Sequence, residues 1–348
     1  MINWIIKGKY GRLMAGEKMN KKLISRRKFL ESVGILGAGT YLAACGKKSS
    51  VSLPEPQSSS VIATPLPTQV IENAKTPDVG QNYLAVVRGE DIVEMTRRAV
   101  DAVGGMQRFV KNGNDVIIKP NICTDYYPYE YGATTNPLVV ATLVSLAFGA
   151  GAKRVRVMDN PFGGSAQSAY RQSAIEEAVL GAGGEMEVMN KNKFRIMPIP
   201  DGRDIKEWEF YKDILDADVV IDVPIAKHHG TTRLTLGCKN LMGTILNRGL
   251  IHANIGQRIA DLTSAVRPAL TVVDAVRTLM RNGPTGGNLD DVRMTNTIIA
   301  SHDIVAADSY AATLFGLRGE DISYIRAAAD MGLGSMNIKE LKIEEFSL

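Results

Sequence analysis

The chain has 348 residues, of which 45% are hydrophobic and 22% are charged, a balance typical of soluble globular proteins. This composition excludes a mainly disordered chain, a collagen and a polytopic membrane protein, and three cysteines are too few for a disulfide-rich scaffold. The net charge of +4 would favour nucleic acid or another anionic partner, but only if the basic residues lie in the folded part of the chain.

The first 44 residues predict a signal peptide. They contain nine basic and two acidic side chains, and the pair Arg26-Arg27 precedes Phe29-Leu30 and a short, glycine-rich apolar run over residues 33–44. A basic region before such a run is typical of export signals, and the adjacent arginines indicate the twin-arginine route. An ordinary transmembrane anchor is the alternative, although the run is short for a bilayer of about 30 Å. Met19 is an alternative start to Met1.

The apolar run ends in Leu-Ala-Ala-Cys45, which is similar to a lipobox. Lipidation of Cys45 would hold the protein to a membrane, and a plain cleavage site with an incidental cysteine is the alternative. Residues 45–81 are rich in Ser and Pro and predict a flexible linker. The expected partners are therefore the twin-arginine translocase and, through Cys45, a membrane. The expected location is the outer face of the cell membrane or the periplasm.

The signal region accounts for the basic character of the chain. Of its 41 basic and 37 acidic residues, 32 and 35 remain after residue 44. The remainder is mildly acidic, so nucleic acid is not an expected partner.

From residue 82 onward, short β-branched runs alternate with helical segments. This alternation predicts an α/β domain over residues 82–348 with a largely parallel sheet flanked by helices. The predicted strands cover residues 83–87, 116–119, 154–158, 219–223, 270–273 and 297–300. The predicted helices cover residues 91–103, 137–148, 168–180 and 304–315. Asn136 and Pro137 form a favourable N-cap and first-turn pair for the second helix.

Polar residues follow five of these strands. The segments are Lys119-Pro120-Asn121, Asp159-Asn160-Pro161, Lys227-His228-His229, Asp274 and Ser301-His302-Asp303. Ligands of open parallel sheets bind beyond the carboxyl ends of the strands. The sequence therefore predicts a polar site on one rim of the sheet, although polar residues also commonly begin loops.

Residues 224–243 form the segment with the most chemistry-bearing side chains. Lys227 and Lys239 lie in glycine-rich turns, which suit capture of a carboxylate or phosphate. A desolvated lysine can instead act as a base or nucleophile, and His229 could transfer a proton or bind a metal. A solvated basic loop is the alternative.

Metal binding is left open by the sequence. His229, Asp159 and Asp303 are the metal-ligand candidates, but no His-Glu-x-x-His motif is present. Cys123 and Cys238 belong to no Cys-x-x-Cys pair, so the chain has no self-contained iron–sulfur motif. They are interpreted as buried thiols, with a disulfide as the alternative. Residues 283–287 predict either a substrate-shaping loop or a surface turn.

Several short motifs occur in an order that resembles one known family. They are Lys119-Pro120-Asn121, residues 218–224, Lys227-x-His229, residues 235–243, Val273-Asp274, Gly283-Pro284 and residues 303–308. Over residues 82–337 the chain resembles the domain of unknown function 362. The resemblance implies a two-lobed α/β domain related to the fold of nickel-dependent lactate racemase, and a link to iron–sulfur electron transfer. The ferredoxin-type cysteine run of those members is missing here.

These observations favour an enzyme that acts on a small anionic substrate by redox or isomerase chemistry. Lys227, His229 and Asp274 are the candidate catalytic residues. The candidate substrate-binding residues lie at strand ends or in glycine-rich turns: Lys119, Asn121, Lys239, Asn240 and Gly283. The rival hypotheses are a non-catalytic envelope protein that binds an anion or a redox partner, and an electron-transfer accessory to an iron–sulfur subunit. The cofactor is not specified by the sequence.

Overall fold

The computed structural model describes residues 83–348, and a ten-stranded sheet forms its centre. The strands are β1 (Leu84–Arg88), β2 (Asp115–Pro120), β3 (Arg154–Val157), β4 (Glu185–Met186), β7 (Val219–Val223), β8 (Ile225–His229), β9 (Arg233–Thr235), β10 (Leu270–Leu279), β11 (Val292–Ser301) and β12 (Ile343–Ser347). A separate hairpin pairs β5 (Phe194–Pro198) with β6 (Glu207–Tyr211). The predicted signal peptide, lipidated Cys45 and linker lie outside the described residues.

The sheet is mixed and mostly parallel. Its order is β12-β1-β11-β10-β7-β2-β3-β4, and β8 continues β7 along the edge of β10 before turning into β9. The strand β11 runs antiparallel to both of its neighbours, β1 and β10. The predicted α/β fold with a largely parallel sheet is confirmed. The described residues all fall within one compact unit.

Ten α-helices lie among the described residues. They are α1 (Ile92–Ala102), α2 (Met106–Phe109), α3 (Pro137–Gly149), α4 (Ala166–Gln172), α5 (Ile175–Gly181), α6 (Lys212–Asp216), α7 (Gly237–Asn240), α8 (Ile255–Val266), α9 (Ile304–Thr313) and α10 (Ser323–Asp330). The side chain of Asn136 caps α3 by accepting from the Leu138 N–H, with Pro137 in the first turn, as predicted. The single helix predicted over residues 168–180 is split into α4 and α5, because Ala174 adopts a left-handed conformation with φ of 59°.

A hydrophobic core covers each face of the sheet. Alternate residues of β1 point to opposite faces, so Leu84 belongs to one core and Ala85 to the other. The helices α1 and α3 cover one face, whereas α8, α9 and α10 cover the other. Between residues 83 and 348, no helix is both long and apolar enough to cross a membrane. The covered faces leave the strand ends as the place where polar side chains can meet.

Candidate functional site

A cleft opens at the carboxyl ends of β2, β3 and β8 and encloses about 460 Å³, part of which is open to solvent. Its floor and walls also include α7 and the two short 3₁₀ helices that follow it, Leu241–Thr244 and Arg248–Asn254. The lining residues are Asn121, Cys123, Asp159, Asn160, Phe162, Lys227, His229, Thr235, Lys239, Asn240, Met242, Gly243, Arg248 and Pro284. Residues from three of the five predicted polar segments line this cleft: Asn121, Asp159 with Asn160, and Lys227 with His229.

A buried ion pair joins the ends of β2 and β3. The ammonium of Lys119 donates to Asp159 Oδ1 at 2.8 Å, to Pro120 O at 2.8 Å and to Asn240 Oδ1 at 3.0 Å. The two charged side chains are 1% and 4% exposed. All three N–H groups of Lys119 are used, so this lysine, predicted to hold an anion, instead fixes the walls of the cleft.

Two asparagines carry this network across the cleft. Asn240 Oδ1 also accepts from Asn121 Nδ2 at 2.9 Å, and Asn121 Oδ1 accepts from Lys227 Nζ at 2.9 Å. Lys227 is 1% exposed and also donates to Ala133 O at 2.6 Å. Burial lowers the pKa of Lys227, while the adjacent Cys123 opposes that change. The predicted residues Asn121, Lys227 and Asn240 thus form one hydrogen-bonded set.

Two buried carboxyl groups that the sequence did not single out support α7. Asn240 Nδ2 donates to Asp222 Oδ1 at 2.7 Å, and Asp308 accepts from the Gly237 and Cys238 N–H groups. Burial raises the pKa of Asp308 to about 7 and raises that of Asp222 well above its ordinary value. Asp222 and Asp308 both lie inside the family motifs given above. The sequence alone does not show that they contact α7, because α7 comes from a different part of the chain.

Lys239 and Arg248 supply cationic groups without carboxylate partners among residues 83–348. Lys239 is 8% exposed, and within residues 83–348 its ammonium hydrogen-bonds to the thioether Sδ of Met242, at 3.4 Å. Burial, followed by the charges of Lys227 and Arg248, lowers the pKa of Lys239 to about 8. Arg248 donates to the carbonyl oxygens of Asn160 and Pro161. The cleft therefore carries positive charge that its own side chains leave uncompensated, and Arg248 was not found from the sequence.

His229 lies in the cleft as a neutral side chain. Its Nδ1 accepts from the Thr231 and Thr232 N–H groups at 3.1 and 3.4 Å, so Nε2 carries the proton. Burial, followed by the charge of Lys239, lowers the pKa of His229 to about 3. This arrangement favours a hydrogen-bond donor to the ligand over the proton-transfer role expected for His229.

Two predicted site residues lie away from the cleft lining. The Asp274 carboxylate, inside β10, accepts from the Asn136 and Val276 N–H groups, and burial raises its pKa to about 6. Asp303 lies beside the amino end of β10, because β11 runs antiparallel to β10 and Ser301 pairs with Thr271. It accepts from the Ala306 N–H as the N-cap of α9. Asp274 and Asp303 therefore have structural contacts in place of the predicted catalytic and metal-binding ones.

Gly283 lies outside the lining but shapes its wall. Its N–H donates to His228 Nδ1 at 3.2 Å, and a Cβ at this position would lie 1.8 Å from the His228 carbonyl oxygen. The next residue, Pro284, lines the cleft. Only glycine can approach β8 this closely, so Gly283 acts through packing.

The metal-ligand candidates do not come together. Within residues 83–348, no group of three or more His, Cys, Asp or Glu side chains could hold a metal ion. Asp159 is already engaged by Lys119 and by the Ile122 N–H. Cys123 and Cys238 are free thiols. The donor set of the described residues does not fit a metal centre.

The fold is therefore α/β, with a mostly parallel sheet whose strands end at a lysine-lined cleft. The chain belongs to the family described as Domain of unknown function (DUF362), whose sequence profile matches residues 116–313. The predicted family resemblance is thereby confirmed.

Two further comparisons place the chain among known proteins. It is 28% identical over 252 residues to the thylakoid-associated protein sll1697 of Synechocystis sp., a match that covers 68% of this chain and 74% of the relative. It is also similar to the lactate racemase apoprotein from Thermoanaerobacterium thermosaccharolyticum, with 13% identity and a TM-score of 0.39. That match covers 64% of this chain and 55% of the racemase, so the chain spans little more than half its length.

Proposed function

We propose that the protein is an enzyme that acts on a small anionic substrate, a carboxylate or a phosphate, bound in the cleft. The observation that carries this proposal is the ammonium of Lys239, which is buried in the cleft wall with a thioether as its contact. A buried charge without a counter-ion is unfavourable, and an anion entering the cleft would supply one. Arg248 adds positive charge, and the Nε2–H of His229 adds a neutral donor.

We expect Lys239→Met to weaken the binding of oxalate by about tenfold or more at pH 7, because a hydrogen bond to a charged group contributes about 1.5–3 kcal/mol. Wild-type affinity should fall as the pH rises from 7 to 9. The pKa of Lys239 in the free protein is about 8, and a bound anion raises it. Binding therefore takes up a proton in this range, whereas the Lys239→Met profile should be flat. Titration calorimetry with oxalate, which stays dianionic in this range, measures both effects.

Lys153→Met is the matched control, since Lys153 is exposed and precedes the amino end of β3, away from the cleft. Its oxalate affinity should equal that of the wild type. Equal oxalate affinity in Lys239→Met, or a wild-type protein that binds neither oxalate nor inorganic phosphate, would contradict the proposed function.

We also propose that the protein is exported and lipid-anchored, which rests on Arg26, Arg27 and Cys45 in the sequence. The relative from Synechocystis sp. is named thylakoid-associated. In a bacterium with a twin-arginine translocase, the full chain should fractionate with membranes, and Cys45→Ser should move it to the soluble periplasmic fraction. The pair Arg26→Lys and Arg27→Lys should keep it in the cytoplasm, while Arg12→Lys should change nothing. Membrane retention of Cys45→Ser would argue against the lipid anchor.

A further inference from the structure

We propose that Cys123 is the nucleophile of the cleft and that its substrates are small carboxylates with an aldehyde or ketone carbon next to the carboxylate. This inference rests on the proposed function, because it assigns the chemistry of the same cleft.

The first argument is the pairing of Cys123 with Lys227. Cys123 is 7% exposed and lines the cleft, and its Sγ lies 3.4 Å from Lys227 Nζ. The other two acceptors of this ammonium, Asn121 Oδ1 and Ala133 O, are neutral. Among residues 83–348 no carboxylate forms an ion pair with Lys227, so the Cys123 sulfur lies beside an ammonium whose other partners are neutral oxygens. The thiolate is the nucleophilic form of cysteine, and an adjacent lysine favours it.

The second argument is independent of the thiol and concerns the ligand. The same cleft contains the guanidinium of Arg248 and the buried ammonium of Lys239, whose hydrogen-bond partner among residues 83–348 is a thioether. These cations attract a carboxylate into the cleft that Cys123 lines. A reactive carbon attached to that carboxylate is then brought to the nucleophile, which is how proximity lowers a barrier.

The chemical step is a redox-neutral addition. The Cys123 thiolate attacks the carbonyl carbon, one C–S bond forms, and the π electron pair of the C=O bond moves to oxygen. That oxygen takes a proton from the Lys227 ammonium, which leaves a neutral amine and a thiohemiacetal. Burial lowers the pKa of Lys227, which makes its ammonium a better proton donor to that oxygen. Reversal of the same steps releases the substrate.

Cys238 serves as an internal reference. It is fully buried, and burial together with Asp308 raises its pKa well above the ordinary value. Cys238 is not among the residues that line the cleft, and in the part of the chain from residue 83 to 348 no lysine or arginine pairs with its sulfur as Lys227 does with Cys123. A thiol-alkylating reagent, whose rate depends on the exposure and the reactivity of the sulfur, should therefore label Cys123 faster than Cys238.

Competition between an anionic and a neutral alkylating reagent tests the proposal on the native full chain. A free thiolate reacts with iodoacetamide at least as fast as with iodoacetate, because it repels the carboxylate. We expect the ratio of the iodoacetate rate to the iodoacetamide rate to be about tenfold higher for Cys123 than for the thiol of free glutathione. The reason is that a cation-lined cleft concentrates anions. Peptide mass spectrometry assigns the label to each cysteine separately, and Cys238 should stay unlabelled.

Variants separate the two lysines. Lys227→Met should lower the rates of both reagents, and Lys239→Met should lower the iodoacetate rate more than the iodoacetamide rate. Lys153→Met should leave both rates at the wild-type value. An unreactive Cys123 in a protein that still binds oxalate would overturn the nucleophile and leave the proposed function standing. A protein without oxalate binding and without iodoacetate preference would overturn both.

Glyoxylate labelled with ¹³C at the aldehyde carbon tests the covalent step itself. Wild-type protein should give the resonance of a protein-bound tetrahedral carbon, and Cys123→Ser should not. Borohydride reduction of the glyoxylate complex tests the alternative, in which a lysine attacks the aldehyde carbon. Glyoxylate carbon trapped on Lys227 or Lys239 would show Schiff-base chemistry and would overturn the assignment to sulfur.

Discussion

Replacing Asp159 with Ala should destabilise the protein by about 3–5 kcal/mol, because it leaves the Lys119 ammonium buried without its carboxylate. The pair is almost inaccessible, with side chains 1% and 4% exposed. The Ile122 N–H loses its acceptor at the same time, which adds to the cost. Urea denaturation monitored by circular dichroism measures the change in the free energy of unfolding.

The ion pair between Arg154 and Glu185 provides the matched control. Its side chains are 45% and 53% exposed, and exposed pairs contribute only about 0–1 kcal/mol. Glu185→Ala should therefore change the free energy of unfolding by less than about 1 kcal/mol. Similar losses in Asp159→Ala and Glu185→Ala would show that the buried pair is not a central contact of the cleft.

The double variant Lys119→Met with Asp159→Asn tests the same pair in another way. Asparagine keeps an oxygen for the backbone N–H groups, and removing both charges leaves no uncompensated ion. We expect the double variant to lose less free energy of unfolding than the two single variants lose in sum, since the effects of substitutions at contacting residues are not additive. Strict additivity would mean that the two charges do not interact.

Much of the site could be predicted because it lies where buried strands end. The run over residues 219–223 is β-branched and bounded by Asp218 and Pro224, and the structure has β7 at Val219–Val223. Parallel strands bring their carboxyl ends to one edge, so Lys119 near the end of β2 meets Asp159 just after β3. The strand β8 was not predicted, and it places Lys227 in contact with Asn121 just after β2.

The direction of β11 was the main feature that the strand pattern alone could not determine. Treating it as parallel places Asp303 at the carboxyl end of the neighbouring strand, whereas the structure places it beside the amino end of β10. One signal was present: the stretch between β10 and β11 shows no helical period, and a parallel connection normally needs a crossover helix. An antiparallel pair joined by the loop that contains Gly283 satisfies that constraint.

The functions of individual lysines could not be separated from sequence alone. Lys119, Lys227 and Lys239 all lie beside turns and look equivalent in the chain. They differ only in their partners: a carboxylate for Lys119, a thiol and two neutral oxygens for Lys227, and a thioether for Lys239. Because each partner comes from the folded arrangement, the charge available to a ligand follows from the structure.

Gly243→Ala should both destabilise the protein and abolish binding of small anions. A Cβ at this position would lie 1.9 Å from Asp159 Oδ1 and 2.7 Å from Lys119 Nζ. The ion pair cannot move away, because β2, β3 and α7 hold it. We expect a loss of about 3–5 kcal/mol, since the substitution separates a buried pair, and an oxalate affinity too weak to measure by calorimetry.

Gly249→Ala separates the effect of this clash from the effect of losing a glycine. Gly249 lies in the next short helix, and a Cβ there would meet nothing within 4 Å. Its substitution should be neutral or stabilise the protein by up to about 1 kcal/mol, because alanine restricts the unfolded chain. Oxalate affinity should be unchanged. If Gly243→Ala and Gly249→Ala behave alike in both measurements, close packing against the Lys119–Asp159 pair does not define the cleft.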